Sequence, residues 1–358
     1  MKSRTSASRI RPMLLLGLLA SAIPTLKGQA NSTPNTVPVH MVVMVEPLTD
    51  SENTVPPIQR EDMQVRQGKN RLQVTDWIPA RDEQAGLQLF ILIDDTSDTS
   101  LGSQLGDLRD FINAQAATTW IGIGYMRNTT VNIVQNFTTD HAQAAKALRL
   151  PLGSLGASDS PYLSLMSLLK GWPEDRLRRS VIMVTDGVDR LRDYSSSSKP
   201  IPADARTPAG SRRGIPPSSD FVREYRTIPI ISPDVDSASR MAQRYGVIVN
   251  SIYTRGVGHA GRNYFELNNG QNGMAKLADE TGAESFYLGL QNPVSFKPYL
   301  DRLQLVLNNQ YFLVFQAIPA KKDGLQRVKI STEVPKVEIV SADSVWVPTT
   351  SVSAQGSK

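Results

Sequence analysis

The sequence predicts an α/β fold: a doubly wound, mostly parallel sheet flanked by a small β module from both chain ends. From Leu87 onward, apolar strand-like runs alternate with stretches of helical periodicity, which is typical of a parallel sheet covered by helices. The run LQLFILID (87–94) is apolar at nearly every position, as in a strand buried on both faces. Before residue 86 and after residue 310, alternating strand patterns predominate instead.

The first 30 residues are predicted to be a secretory signal peptide. They contain a basic head, the apolar stretch MLLLGLLASAI and a tail of small residues that ends at Ala30. The apolar stretch is too short to span a bilayer. We therefore expect an exported protein, periplasmic or extracellular, with no membrane span after cleavage.

The β module is assigned to residues 31–85 and 311–350. VPVHMVVMVEP (37–47) predicts a strand, and MQVRQGKNRLQVTDW (63–77) predicts a hairpin that turns at QGKN. Strand-like runs recur after residue 310. We expect the two segments to pack together, and residues 351–358 to form a disordered tail.

The α/β domain is assigned to residues 86–310. Its predicted strands are 87–94, 118–126, 131–137, 179–187, 247–254 and 283–289, and its predicted helices are 101–115, 139–150, 160–172, 232–246, 273–282 and 294–310. Residues 189–229 are rich in Ser, Pro and Arg and lack periodicity, which predicts a flexible insertion. Arg178 and Arg179 are interpreted as solvent-exposed.

Composition excludes several kinds of function. The net charge of +5 comes from the predicted leader, which holds five basic residues and no acidic ones, so the remaining chain is about neutral. Nucleic-acid binding needs a cationic face and is therefore not expected. The chain has no cysteine, which excludes disulfides and thiolate metal sites. Its three histidines are far apart in sequence.

Three loops at predicted strand or helix ends combine acidic and hydroxyl side chains. They are DDTSDTS (94–100), GASDSPY (156–162) and VTDG (184–187). In an open α/β sheet, ligands bind beyond the carboxyl ends of the strands. Carboxylate and hydroxyl oxygens suit hard cations such as Mg²⁺ and Ca²⁺. Taken singly, each loop is better explained by helix capping, and it is the three loops together, in this order, that favour a cation site.

In these loops the sequence resembles a von Willebrand factor type A domain, over roughly residues 86–310. The resemblance is carried by FILIDDTSDTS, SPYLSLMSLL and VIMVTDGVD, and the flanks are similar to those of exported bacterial proteins with this domain. The family's metal-ion-dependent adhesion site has Asp-x-Ser-x-Ser, Thr and Asp on three such loops. The resemblance implies a site for Mg²⁺ or Ca²⁺ with the candidate ligands Asp94, Asp95, Thr96, Ser97, Asp98, Thr99, Ser160 and Asp186.

The register of the first loop is open. If Asp95 is the first ligand, Ser97 and Thr99 supply both hydroxyls; if Asp94 is, Thr96 supplies one and Asp98 replaces the other. The apolar run ends at Ile93, which favours Asp94, whereas the preserved hydroxyls favour Asp95. Ser160 stands where the family has threonine.

The function expected from this resemblance is non-enzymatic binding of adhesion type. An acidic side chain of a protein partner would complete the cation's shell. The alternative is a metal-independent structural or assembly scaffold of the cell envelope. An enzyme is not expected, because no dedicated nucleophile or general acid is evident.

The stretch GVGHAG (256–261) has the spacing of a dinucleotide-binding fingerprint. That motif needs a helix directly after it, and RNYFELNNGQNG (262–273) is predicted to continue as a polar loop. We therefore do not expect a cofactor at this position.

Overall fold

The computed structural model describes residues 36–48, 56–153, 159–173, 177–191, 231–257 and 264–349. The predicted signal peptide, nearly all of the 189–229 insertion and the 351–358 tail lie outside the described residues.

The amino-terminal segment forms four strands. They are β1 Val37–Pro47, β2 Met63–Gln67, β3 Asn70–Leu72 and β4 Val74–Pro79. The predicted hairpin is present, since β2 pairs antiparallel with β3. Gly68 in its turn has a φ of 60°, a left-handed conformation that glycine adopts without strain.

The α/β domain follows with six strands and six helices among the described residues. The strands are β5 Leu87–Asp94, β6 Thr119–Arg127, β7 Thr130–Thr138, β8 Arg178–Thr185, β9 Val247–Tyr253 and β10 Ser285–Phe286. The helices are α1 Leu105–Asn113, α2 His141–Lys146, α3 Pro161–Lys170, α4 Pro233–Tyr245, α5 Tyr264–Thr281 and α6 Lys297–Asn308.

The six strands form one doubly wound sheet in the order β10-β9-β8-β5-β6-β7. All neighbours are parallel except β6 and β7. Strand β5 is buried along its whole length. Leu89 and Ile91 pack with α1 and α6 on one face, and Phe90 and Leu92 pack with α3 and α4 on the other. This alternation explains why an all-apolar strand was the strongest signal in the sequence.

The remaining strands complete the β module. They are β11 Gln310–Ala317, β12 Gly324–Arg327, β13 Lys329–Thr332, β14 Val337–Ser341 and β15 Ser344–Val347. One sheet has the order β14-β1-β11-β4, and β13 joins β2 and β3 in another. Strands from both ends of the chain thus hydrogen-bond with each other and share a core that includes Val43 and Phe315.

Helix α5 begins at Tyr264, nine residues before the helix predicted at 273–282. The expectation of a polar loop over 262–273 was therefore wrong from residue 264 onward. Gly270 and Gly273 weakened the helical pattern, and packing requires both. A Cβ at Gly270 would clash with the Asp186 carbonyl oxygen, and one at Gly273 with the Tyr162 hydroxyl. The turn after β8 and helix α3 lie directly against this side of α5.

Arg178 also differs from expectation: it is buried rather than solvent-exposed. Its guanidinium donates to the Leu307 carbonyl at 2.8 Å, to Gln310 Oε1 at 2.7 Å and to the Ala85 carbonyl at 2.6 Å. These acceptors belong to α6, β11 and the segment before β5. Arg178 therefore joins the α/β domain to the β module.

Candidate functional site

The carboxyl ends of β5 and β8 bring the first and third predicted loops together. The two strands are parallel neighbours, with Ile93 opposite Val184. Just beyond them, Thr185 Oγ1 donates to Asp94 Oδ2 at 2.7 Å. The surrounding surface is called the loop edge below and comprises residues 94–104, 147–153, 159–160, 186–191, 254–257 and 288–296.

Asp94 and Asp95 point to different surroundings. Asp94 Oδ1 accepts from the Thr96 backbone at 2.9 Å and from its hydroxyl at 2.7 Å, and Asp94 faces the Asp186 side. Asp95 instead makes a bidentate pair with Arg149, at 2.7 and 3.0 Å, and accepts from Leu152 N. Of the two registers left open by the sequence, only the one starting at Asp94 directs its first carboxylate towards Asp186.

Arg190 lies between the Asp94 and Asp186 carboxylates. Its side chain is 11% exposed. Nη2 donates to Asp186 Oδ2 at 2.7 Å, and Nη1 is 3.9 Å from Asp94 Oδ2. The Arg190 backbone N–H donates to the Asp159 carbonyl oxygen at 2.8 Å, which ties the second predicted loop to the same point. The three loops therefore converge, and a guanidinium stands where they meet.

The carboxylates and the Arg190 guanidinium at this position shift one another's pKa values. Burial acts to lower the pKa of Arg190, but the Asp186, Asp94 and Asp159 carboxylates outweigh it, and the net shift is upward. Burial raises the pKa of Asp94; Arg190 opposes that rise and Asp186 adds to it. Arg190 is thus firmly held as a cation, and the Asp94 carboxyl is protonated more easily than an ordinary aspartate.

The other predicted ligands have separate roles. Asp98 is exposed and caps the short helical turn Thr99–Gln104 by accepting from Ser100 N at 2.8 Å. The Ser160 hydroxyl caps α3 by accepting from Leu163 N at 3.4 Å. Ser97 Oγ and Asp159 Oδ2 are buried with no hydrogen-bond partner among the described residues. Capping therefore accounts for two of the eight candidates.

Residues 255–257, called the cover loop, lie over the converging side chains. Val257 N donates to the Thr96 carbonyl and Asp98 N to the Arg255 carbonyl, both at 2.8 Å. A Cβ at Gly256 would clash with Asp186 Oδ2 and lie 2.8 Å from Arg190 Nη2. The cover loop contains the first two residues of the GVGHAG stretch. Its Gly256 is needed because no side chain fits between the backbone and the Arg190–Asp186 pair. Asp94 and Asp186 are only 3% and 1% exposed.

This arrangement does not fit a divalent cation. Mg²⁺ and Ca²⁺ take six or more oxygen ligands, and a guanidinium has only donors. Asp186 is hydrogen-bonded to Arg190 and Val188 N, and Asp94 to Thr96 and Thr185. In the part of the chain that the structure describes, no three His, Asp or Glu side chains are grouped so that they could hold a metal ion.

Arg190, Arg149 and Gly256 were not identified from the sequence. One signal was available for Arg190, because it follows Asp186 by four residues in DGVDR, close enough to fold back on it. Arg149 is distant from Asp95 in sequence, and the cover loop approaches from beyond β9. No local pattern could have indicated either contact.

No described helix is both long enough and apolar enough to cross a membrane.

No protein-family model matches the sequence, and no curated protein matches it. Three solved structures similar to the chain are an aerotolerance-related membrane protein from Bacteroides fragilis, the ArnB paralog VWA2 from Sulfolobus acidocaldarius and a von Willebrand factor type A protein from Catenulispora acidiphila. Their identities are 11, 9 and 8%, and their TM-scores 0.39, 0.33 and 0.35. They cover 62, 87 and 88% of this chain, and 99, 76 and 75% of their own.

The chain's own topology agrees with the family that the sequence resembles. Its doubly wound sheet is parallel except at one edge strand, and the loops after β5, before α3 and after β8 meet at one edge. The chain has a von Willebrand factor type A-like fold, with additional small sheets from both chain ends.

Proposed function

We propose that the chain is an exported, non-enzymatic binding protein that engages a protein partner through the loop edge. Export rests on the leader-like first 30 residues. The binding role rests on the loop edge, where loops from separate strands meet at one end of the sheet. The expected cation-mediated contact is not retained, because Asp94 and Asp186 are buried, Asp186 accepts a hydrogen bond from Arg190, and Asp94 lies 3.9 Å from the same guanidinium.

The observation that supports this function best is a group of exposed apolar side chains on the loop edge. Leu150, Leu152 and Val294 are 52, 51 and 95% exposed. Leu150 lies against Gly102, and Gln104 donates to the Val294 carbonyl at 3.4 Å, so Leu150 and Val294 flank the turn Thr99–Gln104, while the Leu152 N–H donates to Asp95 Oδ1. Apolar side chains grouped beside polar ones are typical of protein-binding surfaces.

The test uses a matched pair of exposed leucines. Leu152 is on the loop edge, whereas Leu305 is on α6 and is similarly exposed, at 57%. The purified chain without its leader is incubated with an envelope extract in excess chelator, and captured proteins are cross-linked and identified. We expect Leu152→Glu to remove the captured partner and Leu305→Glu to leave it. Equal capture by the double variant Leu152→Glu, Val294→Glu would reject the loop edge as the binding surface.

The alternative is an envelope scaffold whose interface is the insertion. One observation favours it: Ser232 Oγ donates to Asp189 Oδ2 at 2.5 Å, so the insertion leaves and re-enters the domain at one point. Because its ends lie together, the insertion can be shortened without separating them. If the insertion is the interface, replacing residues 192–230 by a short Gly/Ser linker abolishes capture of the partner, whereas Leu152→Glu leaves it unchanged.

A further inference from the structure

Arg190 enters the site from the same turn that carries Asp186. The pair is four residues apart, and the guanidinium is turned back over the turn by its bond to Asp186 Oδ2 at 2.7 Å. Nη1 also donates to the Val188 carbonyl at 3.3 Å. Both terminal nitrogens of the guanidinium are therefore held by hydrogen bonds within its own loop. Nη1 is also 3.9 Å from Asp94 Oδ2.

Three carboxylates act on this one cation. Asp94, Asp159 and Asp186 are all buried, and each acts electrostatically on Arg190. Buried carboxylates need a positive partner, because their hydration has been removed. A guanidinium suits this role, since it stays charged when buried and can donate to several oxygens in a plane.

The cover loop encloses the cation from the solvent side. Gly256 touches both members of the Arg190–Asp186 pair, and Ser97 forms an isolated bridge with Gly256. In the adhesion site that the sequence resembles, one position on the ion is open for a partner's carboxylate. Here the Gly256 backbone lies so close to Asp186 and Arg190 that a Cβ would clash with them.

We propose that Arg190 is the resident cation of this site, and that its guanidinium replaces the divalent ion between the Asp94 and Asp186 loops. The loop edge is then held in one arrangement by a charge built into the chain, independent of the cation concentration outside the cell. This inference concerns the site's own charge. It does not depend on partner binding, so its test is separate from that of the proposed function.

The test is a Mn²⁺ titration of the folded chain, followed by electron paramagnetic resonance and by the shift in Tm. For the wild type, we expect no saturable Mn²⁺ binding and no change of Tm with Mn²⁺ or chelator. In Arg190→Gln, Mn²⁺ should take the position that the guanidinium leaves between the Asp94 and Asp186 loops, with a Kd of about 1 mM or tighter, the range of weak protein cation sites, and Mn²⁺ should raise the Tm.

Two further variants locate the effect. Arg190→Lys keeps the positive charge and should bind no Mn²⁺. Asp186→Asn combined with Arg190→Gln should abolish the binding gained by Arg190→Gln alone, since a main ligand is lost.

The proposal is overturned by either of two results. One is saturable Mn²⁺ binding by the wild type that Asp186→Asn abolishes, because the ion and the guanidinium cannot share the position. The other is a folded Arg190→Gln that binds no Mn²⁺, because the guanidinium would then not be standing in for an ion. If Arg190→Gln does not fold, the wild-type titration and Arg190→Lys still decide the question.

Discussion

One arginine lies at the amino end of strand β8 and another in the loop beyond its carboxyl end; both are largely shielded from water, but their surroundings are opposite. Arg178, at its amino end, donates to the Leu307 and Ala85 carbonyls and to the Gln310 amide, all neutral groups. Arg190, beyond its carboxyl end, faces the carboxylates of Asp94 and Asp186. The two guanidiniums are similarly shielded from water, so a difference between their pKa values reflects the groups that they contact.

The surroundings of the two arginines shift their pKa values in opposite directions. Burial lowers the pKa of Arg178 to about 10, because neutral acceptors satisfy its N–H groups without compensating its charge. For Arg190, burial acts in the same direction, but three carboxylates reverse it and raise the pKa. Arg178 therefore serves as a hydrogen-bonding joint between two parts of the fold, whereas Arg190 serves as a counter-ion.

The largest expected effect is that of removing the counter-ion. Arg190→Gln removes the guanidinium that faces the buried Asp94 and Asp186 carboxylates, and we expect the free energy of unfolding to fall by about 3–5 kcal/mol at neutral pH. Urea unfolding measures it. Arg190→Lys serves as the control and should lose less. Equal losses in the two variants would indicate that packing rather than charge is the main contribution of Arg190.

Replacing Arg178, the hydrogen-bonding joint, should lower the free energy of unfolding less than replacing Arg190. Arg178→Met leaves the Leu307 and Ala85 carbonyls without their donor, but it also relieves the cost of a buried, uncompensated charge. We expect the free energy of unfolding to fall by about 2 kcal/mol, measured by the same urea titration. A loss larger than that of Arg190→Gln would contradict the assignment of the two roles.

The decreases in the free energy of unfolding caused by Arg190→Gln and by Arg178→Met should also depend differently on pH. The pKa of Asp94 is raised above its ordinary value of 3.8, chiefly by burial, and removing Arg190 raises it further. Folded Arg190→Gln then binds more protons than its unfolded chain, so its stability rises as pH falls towards 3.8. Between about pH 8 and pH 4.5 its loss should therefore shrink, because the wild type keeps Arg190 beside Asp94 and gains less on acidification.

Arg178→Met is the control for this measurement. Its partners are neutral, and the pKa of Arg178 itself, about 10, lies above the range tested. Its loss should therefore stay constant from about pH 8 to pH 4.5. A parallel decrease in both variants would mean that acid affects the whole fold and not the Asp94 cluster.

The smallest effect is expected at the Arg149–Asp95 pair beside the cluster. Asp95 is buried, but Arg149 is 35% exposed, so water screens the pair on that side and can replace the guanidinium at Asp95 in a variant. Arg149→Gln should lower the free energy of unfolding by less than about 1 kcal/mol and should not create Mn²⁺ binding. Saturable Mn²⁺ binding in this variant would show that Asp95, and not Asp94, leads the cluster.

The architecture was predictable because it follows from periodicity. The apolar run at β5, buried on both faces, predicted the central parallel strand, and the alternating runs outside 86–310 predicted the flanking sheets. Helix α5 was predicted too short, because Gly270 and Gly273 are required by close packing against β8 and α3 and weaken helix propensity. The error arose where tertiary contact overrode local preference.

The site was predictable in position but not in chemistry. Strand ends fixed Asp94 and Asp186 at one edge, because parallel neighbouring strands end together. Whether Asp94 or Asp95 faced Asp186 could not be read from the sequence, since the strand ends at Asp94 and its regular alternation does not extend into the turn that carries Asp95. The partners Thr185 and Arg149 select the two orientations, and both are distant in the chain.

The sequence by itself determined the sheet, its buried centre and the edge at which acidic and hydroxyl side chains collect, because strand pleating and helix periodicity are local properties of the chain. Only the tertiary structure decided which cation those acids face. That depends on Arg190 folding back onto Asp186 and on Gly256 approaching from another strand, and such contacts are set by packing in space rather than by spacing in sequence.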